Sequence, residues 1–337
     1  MPSSTSNSEI KSNNSWFKTW GLLLVALLLF FASYENWLKQ QGHDTSIVSD
    51  QNLWSHYRSR AKNNPDALVI LGASRAQLGL HSETIRKAMP DKELFQLTIN
   101  GQYPMATLED LANDQSFVGE VWVSLVAQSL EPVYWDMQAA NNQYFNVEST
   151  WDKNNNAYLS SWLQSKLRFL HPELHGQKLI KEWQKTGIFP KPFYVKEYLD
   201  LSKAGDYSGL DRDEMVMHFV EQKRQNYLNQ PPMSLATWAL QVKKLQALSQ
   251  KISDRGGQIL LLRMPTDKGH WALDEQYYPK AVYWDNLNQL GHSNLLRTIH
   301  FLEHNSLSGF DLPDSSHLDG KDAPTFTTSL LEVMPGL

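Results

Sequence analysis

The sequence predicts an α/β protein in which a membrane-spanning helix precedes a parallel sheet of about five strands. Three observations predict it: a long uncharged apolar run near the amino terminus, short apolar runs that end at glycine or proline, and amphipathic helical patterns between them. Short, wholly apolar runs are typical of strands buried on both faces. Strands that alternate with helices form a parallel sheet covered by helices on both sides.

The composition narrows the classes of protein before any motif is considered. The 337 residues carry a formal net charge of -5, and 41% of them are hydrophobic. That content suits a packed core in one large domain or two modest ones. A mildly acidic chain is not a general nucleic-acid binder. The chain has no cysteine, which excludes disulfides, thiolate nucleophiles and cysteine-ligated zinc but fits either a reducing or an oxidising compartment.

The first element is a transmembrane anchor at residues 16–38. Its centre, residues 20–34, carries no charge, and the whole stretch is long enough to cross a bilayer. Residues 1–15 are rich in serine and asparagine, which predicts a disordered cytoplasmic tail. Lys11 and Lys18 lie before the apolar run and favour an inside amino terminus. We therefore expect a single-pass membrane protein whose amino terminus is inside and whose carboxyl-terminal domain is outside.

Two other interpretations of the apolar run are less favoured. A cleaved signal peptide needs small residues at the cleavage site, and Phe31, Ala32 and Ser33 form a poor one. A buried core helix is seldom apolar on every side. Aromatic residues at both ends of the run match the interfacial anchors of a spanning helix; these are Trp16, Trp20, Tyr34 and Trp37.

The domain at residues 45–337 supplies the strands and helices of the sheet. Ser82 is predicted to cap a helix that runs to Met89, and a second helix follows Pro104. Ser234 is predicted to cap a long helix to about Ser253, with Leu235 on its apolar, buried stripe. Residues 131–233 break the alternation and predict a largely helical insertion between the third and fourth strands. The predicted strands are residues 67–71, 93–99, 120–126, 258–264 and, more weakly, 298–302.

Three polar segments are candidates for a functional site. Two of them follow strands, at the carboxyl ends where a parallel sheet binds its ligands, and the third lies near the end of the chain. Residues 72–75 follow the first strand and present the Ser74 hydroxyl at a helix start. Asn100 and Gly101 follow the second strand, and Gly101 lets a substrate approach its backbone N–H. Asp314 lies three residues before His317, so its carboxylate can reach the imidazole. A serine needs such a partner because its hydroxyl is a weak nucleophile.

Together these segments resemble the SGNH (GDSL-like) hydrolase superfamily, in its membrane-anchored bacterial form. The resemblance covers roughly residues 63–130 and 234–335 but not the insertion. It is carried by LVILGASRAQLGL at 68–80, QLTINGQYPMATLEDLA at 96–112, RMPTDKGHWALDEQYYPKAVYWDNL at 263–287 and LPDSSHLDGKDAPTFTTSLL at 312–331.

The resemblance implies a flavodoxin-like sheet and a catalytic triad. Together with the orientation of the anchor, it also implies a single-pass protein of the bacterial inner membrane whose carboxyl-terminal domain is periplasmic. Ser74 would be the nucleophile, His317 the base and Asp314 the acid that orients it. Oxyanion donors would come from the Ser74 backbone and Gly101. Three further residues in the matched segments are the expected substrate-binding residues; these are Arg75, Tyr103 and Arg263.

One feature departs from the family. The family supplies an asparagine to the oxyanion hole after the third strand, and residues 125–128 contain none. Gln128 or Asn100 are the candidate substitutes. Loss of one such donor costs about 10²–10³ in rate. A non-catalytic envelope protein that binds a polysaccharide or a protein partner is therefore the alternative.

The favoured function is a serine esterase or O-acyltransferase that acts on acyl esters of an envelope glycan, with no cofactor and no metal. A zinc peptidase is the third idea, because residues 300–304 match H-x-x-E-H. That chemistry needs the motif on a helix, whereas here it begins in the fifth predicted strand. The sequence leaves the acyl group, hydrolysis against transfer, and the oligomeric state open.

Overall fold

The computed structural model describes residues 15–290 and 296–334 and divides into two compact units. One unit contains residues 15–45 and 167–192, and the other contains the remaining described residues. Residues 1–14 of the predicted cytoplasmic tail lie outside the described residues.

The larger unit is built on a five-stranded parallel sheet. The strands are β1 Ala67–Leu71, β2 Glu93–Gln96, β3 Glu120–Ser124, β6 Ile259–Arg263 and β7 Arg297–His300; β4 Val195–Glu197 and β5 Lys203–Gly205 form a separate antiparallel pair. The order across the sheet is β2-β1-β3-β6-β7. If only the strands of this sheet are numbered along the chain, the order is 2-1-3-4-5, which is that of flavodoxin-like proteins. The predicted α/β class with a parallel sheet of about five strands is confirmed.

Thirteen α-helices lie within the described residues. They are α1 Ser15–Gln40, α2 Gln51–Arg60, α3 Ser74–Gly79, α4 Ser82–Ala88, α5 Met105–Asn113, α6 Ala139–Gln143, α7 Trp151–Gln164, α8 Gly176–Thr186, α9 Arg212–Asn229, α10 Leu235–Ser253, α11 Lys268–Tyr277, α12 Trp284–Leu290 and α13 Ala323–Val333. A π-helical segment spans Tyr144–Glu148.

The sheet separates two hydrophobic cores because side chains of a strand alternate between its faces. In β1, Val69 and Leu71 belong to one core, and Leu68 and Ile70 belong to the other. Every residue of β1 is fully buried. Covered on both faces, β1 therefore fixes the position of the turn that comes after it.

Two local expectations are wrong. The α4 helix is capped by His81, whose imidazole accepts a hydrogen bond from the Thr84 backbone N–H, so Ser82 is the first helical residue rather than the cap. Leu235, expected on the buried stripe of α10, is 57% exposed. The Ser234 cap of α10 is confirmed by its side chain, which accepts from the Thr237 N–H.

The smaller unit contains α1 and the segment 167–192. The α1 helix is long and apolar enough to cross a membrane by length and composition. Its side chains from Trp16 to Phe31 are exposed to the surroundings, as a spanning helix requires.

The turn after β1 depends on Gly72. Its φ is +152°, and a Cβ there would lie 2.9 Å from the Ser124 Cβ and 3.0 Å from the Ala76 Cβ. We expect Gly72→Ala to lower the free energy of unfolding by about 1–3 kcal/mol through strain and overpacking. Urea unfolding of the detergent-solubilised full chain measures this. Gly209→Ala is the matched control, since open space surrounds Gly209; equal stability of the two variants would contradict the prediction.

Candidate active site

Ser74 is the first residue of α3 and lies three residues after the end of β1. Ser74 thus lies at the carboxyl end of β1, which has β2 on one side and β3 on the other. The order of strands reverses here, and open α/β sheets bind ligands at such a switch point. The side chain of Ser74 is half-buried. The first N–H groups of a helix have no intrahelical acceptor, so the Ser74 backbone is suited to contact an anionic atom.

The structure brings Ser74, His317 and Asp314 into one hydrogen-bonded chain. Ser74 Oγ lies 2.7 Å from His317 Nε2. His317 Nδ1 lies 2.8 Å from Asp314 Oδ2. A neutral imidazole that donates its Nδ1–H to the carboxylate presents the Nε2 lone pair to the serine hydroxyl. This is the relative placement of nucleophile, base and orienting acid that covalent acyl transfer needs.

Asp314 is held as a carboxylate. Burial acts to raise its pKa, but hydrogen bonds from His317 and from the backbone N–H groups of Ser316 and His317 leave the pKa of Asp314 below its ordinary value. The two backbone N–H groups donate to Asp314 Oδ1 at 2.9 and 2.7 Å. The second oxygen therefore remains for the imidazole.

The loop that carries Asp314 and His317 is fixed by its neighbours. Ser315 is fully buried and has φ of +69°, a conformation that non-glycine residues adopt rarely. Its Oγ accepts a hydrogen bond from the His270 N–H at 3.1 Å. Arg75 donates to Ser316 Oγ from Nε at 3.2 Å and from Nη2 at 3.1 Å. Arg75, predicted to bind substrate, thus contacts the loop of the triad.

Gln138, which no sequence motif marked, links the loop after β1 to the loop after β2 by hydrogen bonds. Gln138 is fully buried, and its Nε2 donates to the Gly72 carbonyl at 3.4 Å and to the Gln102 carbonyl at 3.1 Å. Gly101 and Asn100 lie in the second of these loops and are exposed. Gly101 has φ of +70°, a left-handed conformation for which glycine is suited.

Gln128 lies in a buried polar network. Its Oε1 accepts from the Tyr103 hydroxyl at 2.8 Å and from Lys223 Nζ at 2.9 Å. Burial raises the pKa of Tyr103 above its ordinary value, so its hydroxyl stays protonated. Tyr103 and Gln128, predicted from separate loops, therefore contact each other, and their roles toward a substrate stay predictions.

Arg263 belongs to a buried ion-pair cluster. Its Nη2 lies 2.6 Å from Asp274 Oδ2, and it also donates to Thr266 Oγ1 at 3.1 Å. Asp274 accepts from the Tyr227 hydroxyl at 2.5 Å and lies 3.4 Å from Lys223 Nζ. The Arg263 guanidinium, expected to bind substrate, is thus engaged by protein groups, and its predicted role remains untested.

The α9 helix brings two residues of the insertion to the triad and to this cluster. The ring of Phe219 packs edge-on against His317 with centroids 5.4 Å apart. One turn later, Lys223 is buried, and burial lowers its pKa to about 8 despite the attraction of Asp274. Neither residue falls in the segments that carry the family resemblance, and no sequence motif marked them.

The H-x-x-E-H segment lacks the geometry of a zinc peptidase. His300 ends β7, a 3-10 turn spans Phe301–Glu303, and His304 follows it. The His300 ring packs against Trp271 and Trp284. No helix carries the two histidines on one face, as that chemistry requires. Within the described part of the chain, no group of three or more histidine, aspartate or glutamate side chains is arranged so that it could hold a metal ion.

Comparison with known proteins adds little to this geometry. No family model matches the chain, and no curated protein matches it. Among solved structures, the chain is similar to the crystal structure of TesA, with a TM-score of 0.35 and 12% identity over 79% of this chain and 96% of that one. A likeness of this size carries no weight for activity. Any activity must therefore be inferred from the contacts that Ser74, His317 and Asp314 make.

Proposed function

We propose that this protein is a membrane-tethered serine esterase or O-acyltransferase of the SGNH type. The observation that carries the proposal is the chain of hydrogen bonds from Asp314 through His317 to Ser74, at 2.8 and 2.7 Å. The position of Ser74 at the carboxyl end of β1 supports it, because a substrate can approach the hydroxyl from outside the sheet.

The reaction has two halves. Ser74 Oγ attacks the ester carbonyl while His317 Nε2 takes the hydroxyl proton, and the Asp314 carboxylate stabilises the imidazolium that forms. The backbone N–H groups of Ser74 and Gly101 are the proposed donors to the oxyanion. The C–O bond of the ester breaks, the leaving alcohol takes the proton from His317, and an acyl group remains on Ser74. Water then releases a carboxylic acid, or an acceptor hydroxyl receives the acyl group as a new ester.

The proposed setting is the periplasmic face of the bacterial inner membrane. The α1 helix is the proposed anchor, and Lys11 and Lys18 before its apolar centre favour an inside amino terminus. An enzyme tethered there would meet the acyl esters of an envelope glycan. A periplasmic reporter fused after Thr45 should be active, and activity of a cytosolic reporter at that point would contradict this orientation.

Covalent labelling tests the nucleophile. We expect a fluorophosphonate probe to label the full-length protein in detergent, because the probe forms a bond with an activated serine oxygen. Ser74→Ala should abolish the labelling, and His317→Gln should slow it by about 10³-fold or more, since the base is lost. Ser208→Ala is the matched control, because this exposed serine lies outside the triad; its labelling should equal that of the wild type.

The same measurement addresses the alternative of a non-catalytic envelope protein. That alternative is favoured by the missing asparagine after β3, because the family supplies an oxyanion donor there. Absence of labelling in a protein whose circular dichroism is that of a folded α/β chain would support the binding protein. Labelling that persists in Ser74→Ala would assign the nucleophile elsewhere.

A further inference from the structure

The segment 167–192 is fastened to the last turns of α1. The Tyr34 hydroxyl donates to the Leu174 carbonyl at 2.7 Å. Arg168 Nη1 lies 2.8 Å from Glu35 Oε1, and both side chains are largely buried. A third contact joins the rings of Phe31 and Phe169, which stack with centroids 4.9 Å apart. The segment therefore lies beside the end of the apolar helix rather than beside its middle.

Within this segment, α8 has two chemically opposite faces. At 100° per residue, Leu179, Ile180 and Trp183 fall on one side of the helix. Three lysines fall on the other side: Lys178, Lys181 and Lys185. Residues 176–192 contain four lysines and one glutamate and so carry a formal charge of +3, in a chain whose net charge is -5. A strongly amphipathic helix with lysines on its polar face is typical of a membrane interface.

An apolar groove of about 570 Å³ opens between α8 and the end of α1. Its lining is almost wholly aromatic and aliphatic, and includes Phe30, Phe31, Trp37, Leu179, Ile180 and Phe189. Ile180 and Phe189 are 53% and 44% exposed. Beyond the groove, Trp183 stacks on Phe189 and is 48% exposed. A contiguous exposed apolar surface of this kind is typical of a binding face.

We propose that residues 167–192 form a second membrane contact, in which α8 lies in the headgroup layer and the groove holds acyl chains of the leaflet where α1 ends. The proposal rests on the membrane anchoring proposed above for α1. Two observations favour lipid as the occupant. The groove is continuous with the apolar surface of α1, since Phe30 and Phe31 belong to both. The lysines of α8 match the charge of anionic headgroups.

The absence of cysteine from the chain makes a site-specific test direct. A nitroxide is attached to a single introduced cysteine in the full-length protein, which is then placed in vesicles of phosphatidylcholine and phosphatidylglycerol. Oxygen concentrates among acyl chains and a nickel chelate stays in water, so the ratio of the two collision rates reports the surroundings of the label. We expect oxygen collisions to dominate at Ile180→Cys and nickel collisions to dominate at Lys181→Cys, one residue away on the opposite face.

A label at Leu27→Cys, in the centre of α1, separates the two proposals. If the Leu27 label is in lipid and the Ile180 label is in water, the second membrane contact is wrong while the anchor stands. If both labels are in water, the anchor itself fails. If the Ile180 label is shielded from oxygen and nickel alike, protein covers the groove, as a second copy or another partner would, and the proposal is also overturned.

Discussion

Asp314→Asn should lower kcat for ester hydrolysis by about 10⁴-fold and leave KM nearly unchanged. The amide oxygen of an asparagine at this position can still accept hydrogen bonds from the backbone N–H groups of Ser316 and His317, so the loop keeps its shape. It cannot stabilise an imidazolium, and it can turn its NH₂ group toward His317 Nδ1. The imidazole then carries its proton on Nε2, where the lone pair for the Ser74 proton is needed.

Release of acid from a soluble acyl ester, followed under steady-state conditions, measures this effect. Because the pKa of Asp314 lies below the ordinary value, the carboxylate is ionised throughout the neutral range, and the loss should be constant there. Asp319→Asn is the matched control, a buried aspartate five residues further along the same loop whose Oδ1 accepts from the Lys321 N–H. Activity of Asp314→Asn within about tenfold of the control would show that Asp314 is not the orienting acid.

The sheet could be predicted because its strands are buried on both faces. The bounds of β1 were predicted without error, since a strand covered on two sides consists of apolar residues and ends where Gly72 interrupts them. The predicted end of β2 lies three residues too late and that of β3 two residues too late. Leu97, Ile99 and Leu125 in these extensions pack against the core beyond the backbone pairing of the strands. Apolar pattern reports burial, and it does not report where backbone pairing stops.

The candidate triad could be predicted because its acid and base lie three residues apart and its serine follows the first strand. The residues around it could not. Phe219 and Lys223 reach His317 and Gln128 from α9, which is distant in sequence from both. The periodicity of a helical sequence predicts which of its faces is buried, but it does not predict which residues each buried side chain contacts. The β4–β5 hairpin was missed because three-residue strands carry almost no alternation.

Loss of Asp274 should destabilise the fold strongly, because its carboxylate lies in a buried ion-pair cluster. It joins three elements: Lys223 and Tyr227 come from α9, Arg263 ends β6, and Asp274 itself lies on α11. All four side chains are buried. Asp274→Ala leaves two buried cations without their carboxylate, and removal of one partner from a buried ion pair costs about 3–5 kcal/mol. We therefore expect the free energy of unfolding to fall by that amount in urea titrations of the full chain.

The pH dependence of this loss identifies its cause. Burial lowers the pKa of Lys223 to about 8, and the attraction of Asp274 acts against that shift. Without Asp274 the pKa of Lys223 falls further, so the contribution of this pair is present at low pH and disappears as the pH rises through about 8. The difference in the free energy of unfolding between wild type and Asp274→Ala should thus be smaller at pH ~9 than at pH ~6. The contribution of the Arg263–Asp274 pair should persist at both pH values, because the guanidinium stays charged.

Glu83→Ala is the control: it removes an exposed pair with Lys87 and should change stability little at either pH. A loss in Asp274→Ala as small as that of Glu83→Ala would mean that α9 is held over the site by its apolar contacts alone.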